Sequence, residues 1–161
     1  MNRLLKLSAG IGIALCAGAT VSHAMPMYQD TFQGITFTFT ETDSNTLTFN
    51  IAGTPLPDWD KAKYLGAFSL KDLGLDFSVG GDTGTANGPG ATNLVGLNSE
   101  LSASANDCMS MGSPDASICF DVAPDYDLGA APWDVTYTID FSSNLNIADT
   151  GVHLKIAFTE T

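Results

Sequence analysis

Alternation of apolar and polar residues with a period of two is the feature that most constrains this chain. Ile35, Phe37 and Phe39 alternate with Thr36, Thr38 and Thr40, and Leu47, Phe49 and Ile51 alternate with Thr46, Thr48 and Asn50. A helix would scatter these side chains around its axis, whereas a strand puts every apolar one on a single face. Asp43-Ser44-Asn45 separates the two runs with turn-forming residues, so they predict an antiparallel hairpin. Two later runs repeat the pattern. Trp133, Val135, Tyr137, Ile139 and Phe141 alternate with Asp134, Thr136, Thr138 and Asp140; Val152, Leu154, Ile156 and Phe158 alternate with His153, Lys155, Ala157 and Thr159.

The stretches between are less regular. Gly53 to Asp60, with Pro55, Pro57 and Trp59, reads as a loop. Lys63 to Lys71 suits a strand with Tyr64, Phe68 and Leu70 on one face; a helix using Leu65, Phe68 and Leu73 is the less favoured alternative. Leu75, Phe77 and Val79 predict a short strand, and Ile118, Phe120 and Val122 another. Gly80 to Ala91 carries five glycines and reads as a long surface loop, as does Pro124 to Pro132. Thr92 to Ala105 is ambiguous, with one helical turn conceivable at Asn98 to Leu101. The expected fold is all-β: an antiparallel β-sandwich of jelly-roll or Ig-like type with about seven to nine short strands.

The N-terminus reads as an export signal. Arg3 and Lys6 precede an apolar run from Leu7 to about Ala19, and Val21-Ser22-His23-Ala24 places small residues where a signal peptidase cuts. The run is short for a bilayer span. Cleavage near Ala24 leaves residues 25–161 as one domain, secreted or held in the cell envelope, with no stable membrane anchor in the chain itself. Leu15 before Cys16 argues against a lipoprotein site. In an oxidising compartment the remaining cysteines, Cys108 and Cys119, are most simply a disulfide, whose short loop is valued at roughly 2–3 kcal/mol.

Charge excludes several partners. The whole chain carries a formal −12, and once the leader is gone Lys61, Lys63, Lys71 and Lys155 stand against all eighteen acids, a net −14. Such a surface repels nucleic acid and has no basic cluster for anionic lipid.

Catalytic groups are sparse. His153 is the one histidine after Ala24, on the polar side of a strand, and no Gly-x-Ser-x-Gly elbow is present. A carboxylate pair for glycoside cleavage is the weakest reading, because eighteen acids always supply some plausible spacing. No enzymatic activity is expected. A calcium ion is the better candidate ligand, through Asp121, Asp125 and Asp127 around Pro124, with Asp58 and Asp60 a weaker set; neither matches an EF-hand. Trp59 between Asp58 and Asp60 also suits a sugar-binding platform, against the alternative that it folds back as a plug over the end of the sandwich. Trp133, in phase with Val135 and Ile139, reads as core.

Phe49 to Gly53, Asp58-Trp59, Tyr64 to Gly74, Asn98 to Ala103, Cys108 with Cys119-Phe120, and His153-Leu154-Lys155 followed by Phe158 occur in an order that resembles a group of secreted bacterial proteins of the PEP-CTERM, exosortase-sorted type. The resemblance runs from about residue 30 to 159. It implies an extracellular or envelope protein in bacteria that make exopolysaccharide, with polysaccharide or envelope proteins as partners. The group's sorting tail, a Val-Pro-Glu-Pro-like signature followed by an apolar span and arginines, does not occur up to Thr161, so its membrane anchoring is not carried over. The expected function is a non-enzymatic structural or interaction protein of the extracellular matrix or envelope; the alternative is a carbohydrate-binding module, with or without calcium.

Overall fold

A computed structural model describes residues 3–6, 27–59, 61–78, 81–99, 101, 108, 117–147 and 151–160. These residues form an antiparallel β-sandwich. The strands are β1 (Arg3–Lys6), β2 (Met27–Phe32), β3 (Ile35–Asp43), β4 (Thr46–Gly53), β5 (Tyr64–Lys71), β6 (Gly84–Gly88), β7 (Ala91–Val95), β8 (Ser117–Asp127), β9 (Trp133–Phe141) and β10 (His153–Thr159). The larger sheet has the order β2-β3-β4-β9-β6-β7. The smaller is β10-β5-β8, with β1 added along the outside of β10.

Both sheets contribute to one core. Phe39 stacks on Phe49 at 4.6 Å between ring centroids, and Phe49 meets Phe68 of the opposite sheet at 5.3 Å. Phe68 also contacts Phe120 at 5.1 Å and Tyr137 at 5.3 Å. All five rings are fully buried, so this aromatic stack removes a large apolar area from water. The β3–β4 hairpin, β9 and β10 form where the alternation predicts them, and β5 is a strand rather than a helix. The Asp43–Asn45 turn is also present, with the Ser44 amide donating to Asp43 Oδ1 at 2.6 Å and Asn45 Nδ2 to the Phe141 carbonyl at 2.9 Å.

Other segments differ from the expectation. The stretch Leu75 to Val79 is not a strand in its described part. The Asp76 amide donates to Asp82 Oδ2 and the Ser78 amide to Asp76 Oδ1, each at 2.9 Å, so side chains take the bonds a ladder would have made. Leu75 and Phe77 are nonetheless buried, with Phe77 beside Phe141; Val79 lies outside the described residues. The expected loop from Gly80 to Ala91 contains β6. There the absence of side chains is what lets the strand pack: a Cβ on Gly88 would sit 2.4 Å from the Tyr137 ring, and one on Gly84 3.0 Å from that of Phe141. Thr92 to Val95 belongs to β7, and the helical turn suggested at Asn98 to Leu101 is not formed in its described part.

The expected loop after Pro124 is strand as far as Asp127. The β5–β8 register jumps between Leu65 and Ala67, leaving Val122 to Asp125 without partners on β5. Pro124, in a cis peptide, therefore displaces no ladder bond to that neighbour. β2 was not signalled by alternation. It enters β3 through Gln33 and Gly34, with φ of 52° and 82°, the backbone of a two-residue hairpin turn. A Cβ on Gly34 would meet the Thr54 carbonyl oxygen at 2.3 Å.

The outer face of the smaller sheet is closed as well. Ala67, Cys119 and Ala157 pack there against Leu101 and Cys108. Cys108 and Cys119 form a disulfide with a Cα separation of 5.6 Å, inside the usual range. Leu97 bridges Cys119 through the backbone, and Ser117 Oγ donates to the Ser99 carbonyl at 3.2 Å.

Candidate functional site

One end of the sandwich holds Trp59 and Asp58, two of the residues singled out for binding. The β4–β5 connection crosses it through a short 3₁₀ turn, Pro57–Trp59. This turn is tied down at both ends. The Leu56 amide donates to the Gln33 carbonyl at 2.9 Å, the Ala62 amide to the Trp59 carbonyl at 3.1 Å, and the Lys63 amide to the Thr159 carbonyl at 3.0 Å.

These anchors drive Trp59 inward, leaving it 5% exposed. Its ring meets Phe32 and Phe158 edge-on, each at 5.4 Å, and Phe158 in turn meets Trp133 at 5.6 Å. Trp59 is thus a plug and offers no open ring face for stacking a sugar. Its Nε1 is buried, with no hydrogen-bond partner among the described residues. Trp133 is core, as its phase predicts.

Two depressions flank Ala62 above this aromatic floor. One of about 350 Å³ is lined by Asp58, Trp59, Lys61, Phe158 and Glu160. The other, about 400 Å³, is lined by Pro55, Lys63, Asp127, Gly129 and Trp133. Asp58 is exposed at the rim of the first, and Asp60 lies outside the described residues. Lys61 and Glu160 were not anticipated as lining residues. Glu160 stands two positions beyond the last apolar residue of β10, and only the pairing of that strand shows where it ends up.

The expected calcium set is not brought together. Asp121, Asp125 and Asp127 lie along β8 rather than on a compact loop. The β5 register sets Asp121 opposite Ala67 and Asp127 opposite Tyr64, three residues or roughly 10 Å apart along β5, too far for both to ligate one ion directly. Asp125 Oδ2 accepts from Thr159 Oγ1 at 2.7 Å, and Asp127 Oδ1 from the Gly129 amide at 2.8 Å. Among the described residues no three His, Cys, Asp or Glu side chains group as metal ligands would.

His153 is half-buried on the outer side of β10, where its Nδ1 contacts Asp72 Oδ2. Among the described residues no serine hydroxyl is bonded to it. Nearby, burial and the charge of Lys71 lower the Lys155 ammonium pKa. Burial raises the pKa of the Tyr137 phenol, whose hydroxyl donates to the Pro89 carbonyl at 2.8 Å.

A carboxylate constellation missed by sequence reading lies at the β5–β6 connection. Asp82 Oδ1 accepts from Ser142 Oγ at 3.3 Å and from Ser143 Oγ. These hydroxyl bonds and the Asp76 backbone hold Asp82 below its ordinary pKa, while the Ser78 amide does the same for Asp76. The arrangement is a loop clasp made by its own hydrogen bonds.

Compared with protein-family models, curated proteins and solved structures, the chain finds no match in any of the three. Among the described residues, no helix is long and apolar enough to cross a membrane.

Proposed function

We propose that this chain is an exported, non-enzymatic structural or interaction protein of the bacterial extracellular matrix or cell envelope, associated with exopolysaccharide. The observation that carries this reading is the exposure of sheet edges. Among the described residues the six-stranded sheet ends at β2 and β7, where Met27 and Val95 are 60% and 63% exposed. Unpaired edges bearing apolar side chains suit association through strand pairing and apolar contact. The export-type leader, the acidic balance and the resemblance to exosortase-sorted secreted proteins support the same assignment.

Fractionation of cells that make the protein tests it. The chain is expected in the polysaccharide matrix or envelope fraction, resistant to a low-salt wash, and deletion of its gene is expected to weaken matrix cohesion. Recovery from the cytoplasm, or an unchanged matrix on deletion, overturns the reading.

A second reading, carbohydrate binding, is favoured by the depression between Asp58, Lys61 and Glu160. Carboxylates there suit sugar hydroxyls, and Trp59 beneath supplies a fluorescent reporter. Titration with soluble matrix polysaccharide is expected to change that fluorescence, and Asp58→Asn with Glu160→Gln to abolish the change; a flat titration removes this reading.

A further inference from the structure

Strand β10 has β5 along one side, and along the other it carries β1. The antiparallel register sets Arg3 opposite Ile156, Leu4 opposite Lys155, Leu5 opposite Leu154 and Lys6 opposite His153. β1 belongs to the segment read above as a cleaved export leader, and the inference rests on that reading. Removal of the leader turns β10 from an interior strand into an edge and cuts its sheet to β10-β5-β8.

The uncovered edge has few of the usual protections. Its seven residues, His153–Thr159, contain no proline and a single lysine. Its core-side residues Leu154, Ile156 and Phe158 are 1%, 2% and 7% exposed. The far edge of the same sheet, β8, is already engaged by the Leu97 bridge at Cys119.

A second β10 fits this edge. Ile156 is the middle residue of the strand, so an antiparallel pair centred on it is two-fold symmetric. Ile156 then faces Ile156 of the second copy, and Leu154 faces Phe158, all on the core side. On the outer side His153 faces Thr159 and Lys155 faces Ala157. Apolar side chains oppose apolar ones, and no basic residue opposes another. The leader makes a poorer match, since it sets Lys6 against His153.

We propose that the mature chain dimerises by antiparallel pairing of β10 with β10 of a second copy, and that the leader blocks this pairing in the precursor. The product is one continuous sheet across the dimer, in the order β8-β5-β10-β10-β5-β8, with an isologous interface that closes on itself. The edges at β2 and β7 stay free for other partners.

Residues 25–161 made directly without the leader keep the whole core cluster, which draws on residues 28 to 158, and are compared with residues 1–161. Sedimentation velocity gives the mass, and hydrogen exchange of the β10 amides locates the contact; protection of the β5 amides reports folding in both samples. The expected result is a dimer for 25–161, whose β10 protection falls on dilution, and a monomer for 1–161 with β10 protected throughout. A monomeric 25–161, a dimer with fast-exchanging β10 amides, or equal dimerisation of both chains overturns the proposal. Neither sample passes through export, so this outcome is independent of where the protein is recovered in cells.

Discussion

β9 of the larger sheet alternates strictly between buried and exposed along Trp133–Phe141. β5, at the centre of the smaller sheet, is buried at every residue from Leu65 to Leu70. The difference lies in what covers the outer faces. Outward residues of β9 such as Thr136 and Thr138 meet water, whereas on β5 Ala67 packs against Leu101 and Cys108 and Ser69 is buried. A sheet with one wet face announces itself by alternation; one covered on both faces fills its outer side with small residues and blurs the signal.

A lysine at matched outward positions separates the two sheets most sharply. Ala67→Lys forces a charge under the disulfide-bearing segment and is expected to destabilise the chain by about 3 kcal/mol or more. Thr138→Lys, on the wet face of β9, is expected to stay within about 0.5 kcal/mol of the parent. Urea unfolding of the two variants reads the contrast, and equal losses would show that the outer faces are alike.

The disulfide comes next. Cys108→Ser with Cys119→Ser opens a link between residues 11 apart and is expected to cost roughly 2–3 kcal/mol in the same assay. The loss should come with faster exchange of β5 and β8 amides and little change in β3, β4 or β9. Uniform loosening of both sheets would mean that the cover is not local to the smaller one.

Within the larger sheet, Gly88→Ala tests whether β6 depends on its missing side chains. The added methyl meets the buried Tyr137 ring, so overpacking of about 1–3 kcal/mol is expected. A neutral Gly88→Ala would show that the ring gives way freely.

The smallest effect is at the Asp76–Asp82 clasp. Both carboxyls are held below their ordinary pKa. Their contribution is therefore present above the unfolded carboxylate pKa of about 3.8, and is lost as pH falls through the lower folded values. Exchange of the Asp76, Ser78 and Thr83 amides is expected to quicken below that range, after correction for intrinsic rates, and Asp82→Asn to remove much of the dependence. A pH-independent loop would contradict the clasp.

Legibility followed the same physical divide. β3, β4 and β9 were readable because threonines and charges mark a wet side against Phe, Ile and Leu, and β10 of the smaller sheet because its outward His153 and Lys155 remain partly exposed although Ala157 is covered. β6 was not, because Gly84 and Gly88 carry no pattern and their role appears only once the rings of Phe141 and Tyr137 stand over them. Leu75 and Phe77 misled in the opposite direction: both are buried with the spacing of a strand, yet the amides of Asp76 and Ser78 bond to aspartate side chains. At the candidate site, plug and platform share one local sequence around Trp59. The choice depended on Phe32 and Phe158, which lie 27 and 99 residues away in the chain. The acids on β8 looked like a cluster because Pro124 suggested a loop, but Asp121 and Asp127 face Ala67 and Tyr64 of β5, and no metal-type group forms among the described residues.

Whether the smaller sheet has three strands or four depends on the leader, and so do the export reading and the freed β10 edge. The most direct measurement is the intact mass and N-terminal residue of the protein recovered from producing cells. The account predicts an extracellular or envelope chain beginning at Met25, with Cys108 and Cys119 joined and therefore two hydrogens lighter than the reduced form. A chain that keeps Met1 to Ala24, or one with both thiols free, would contradict it.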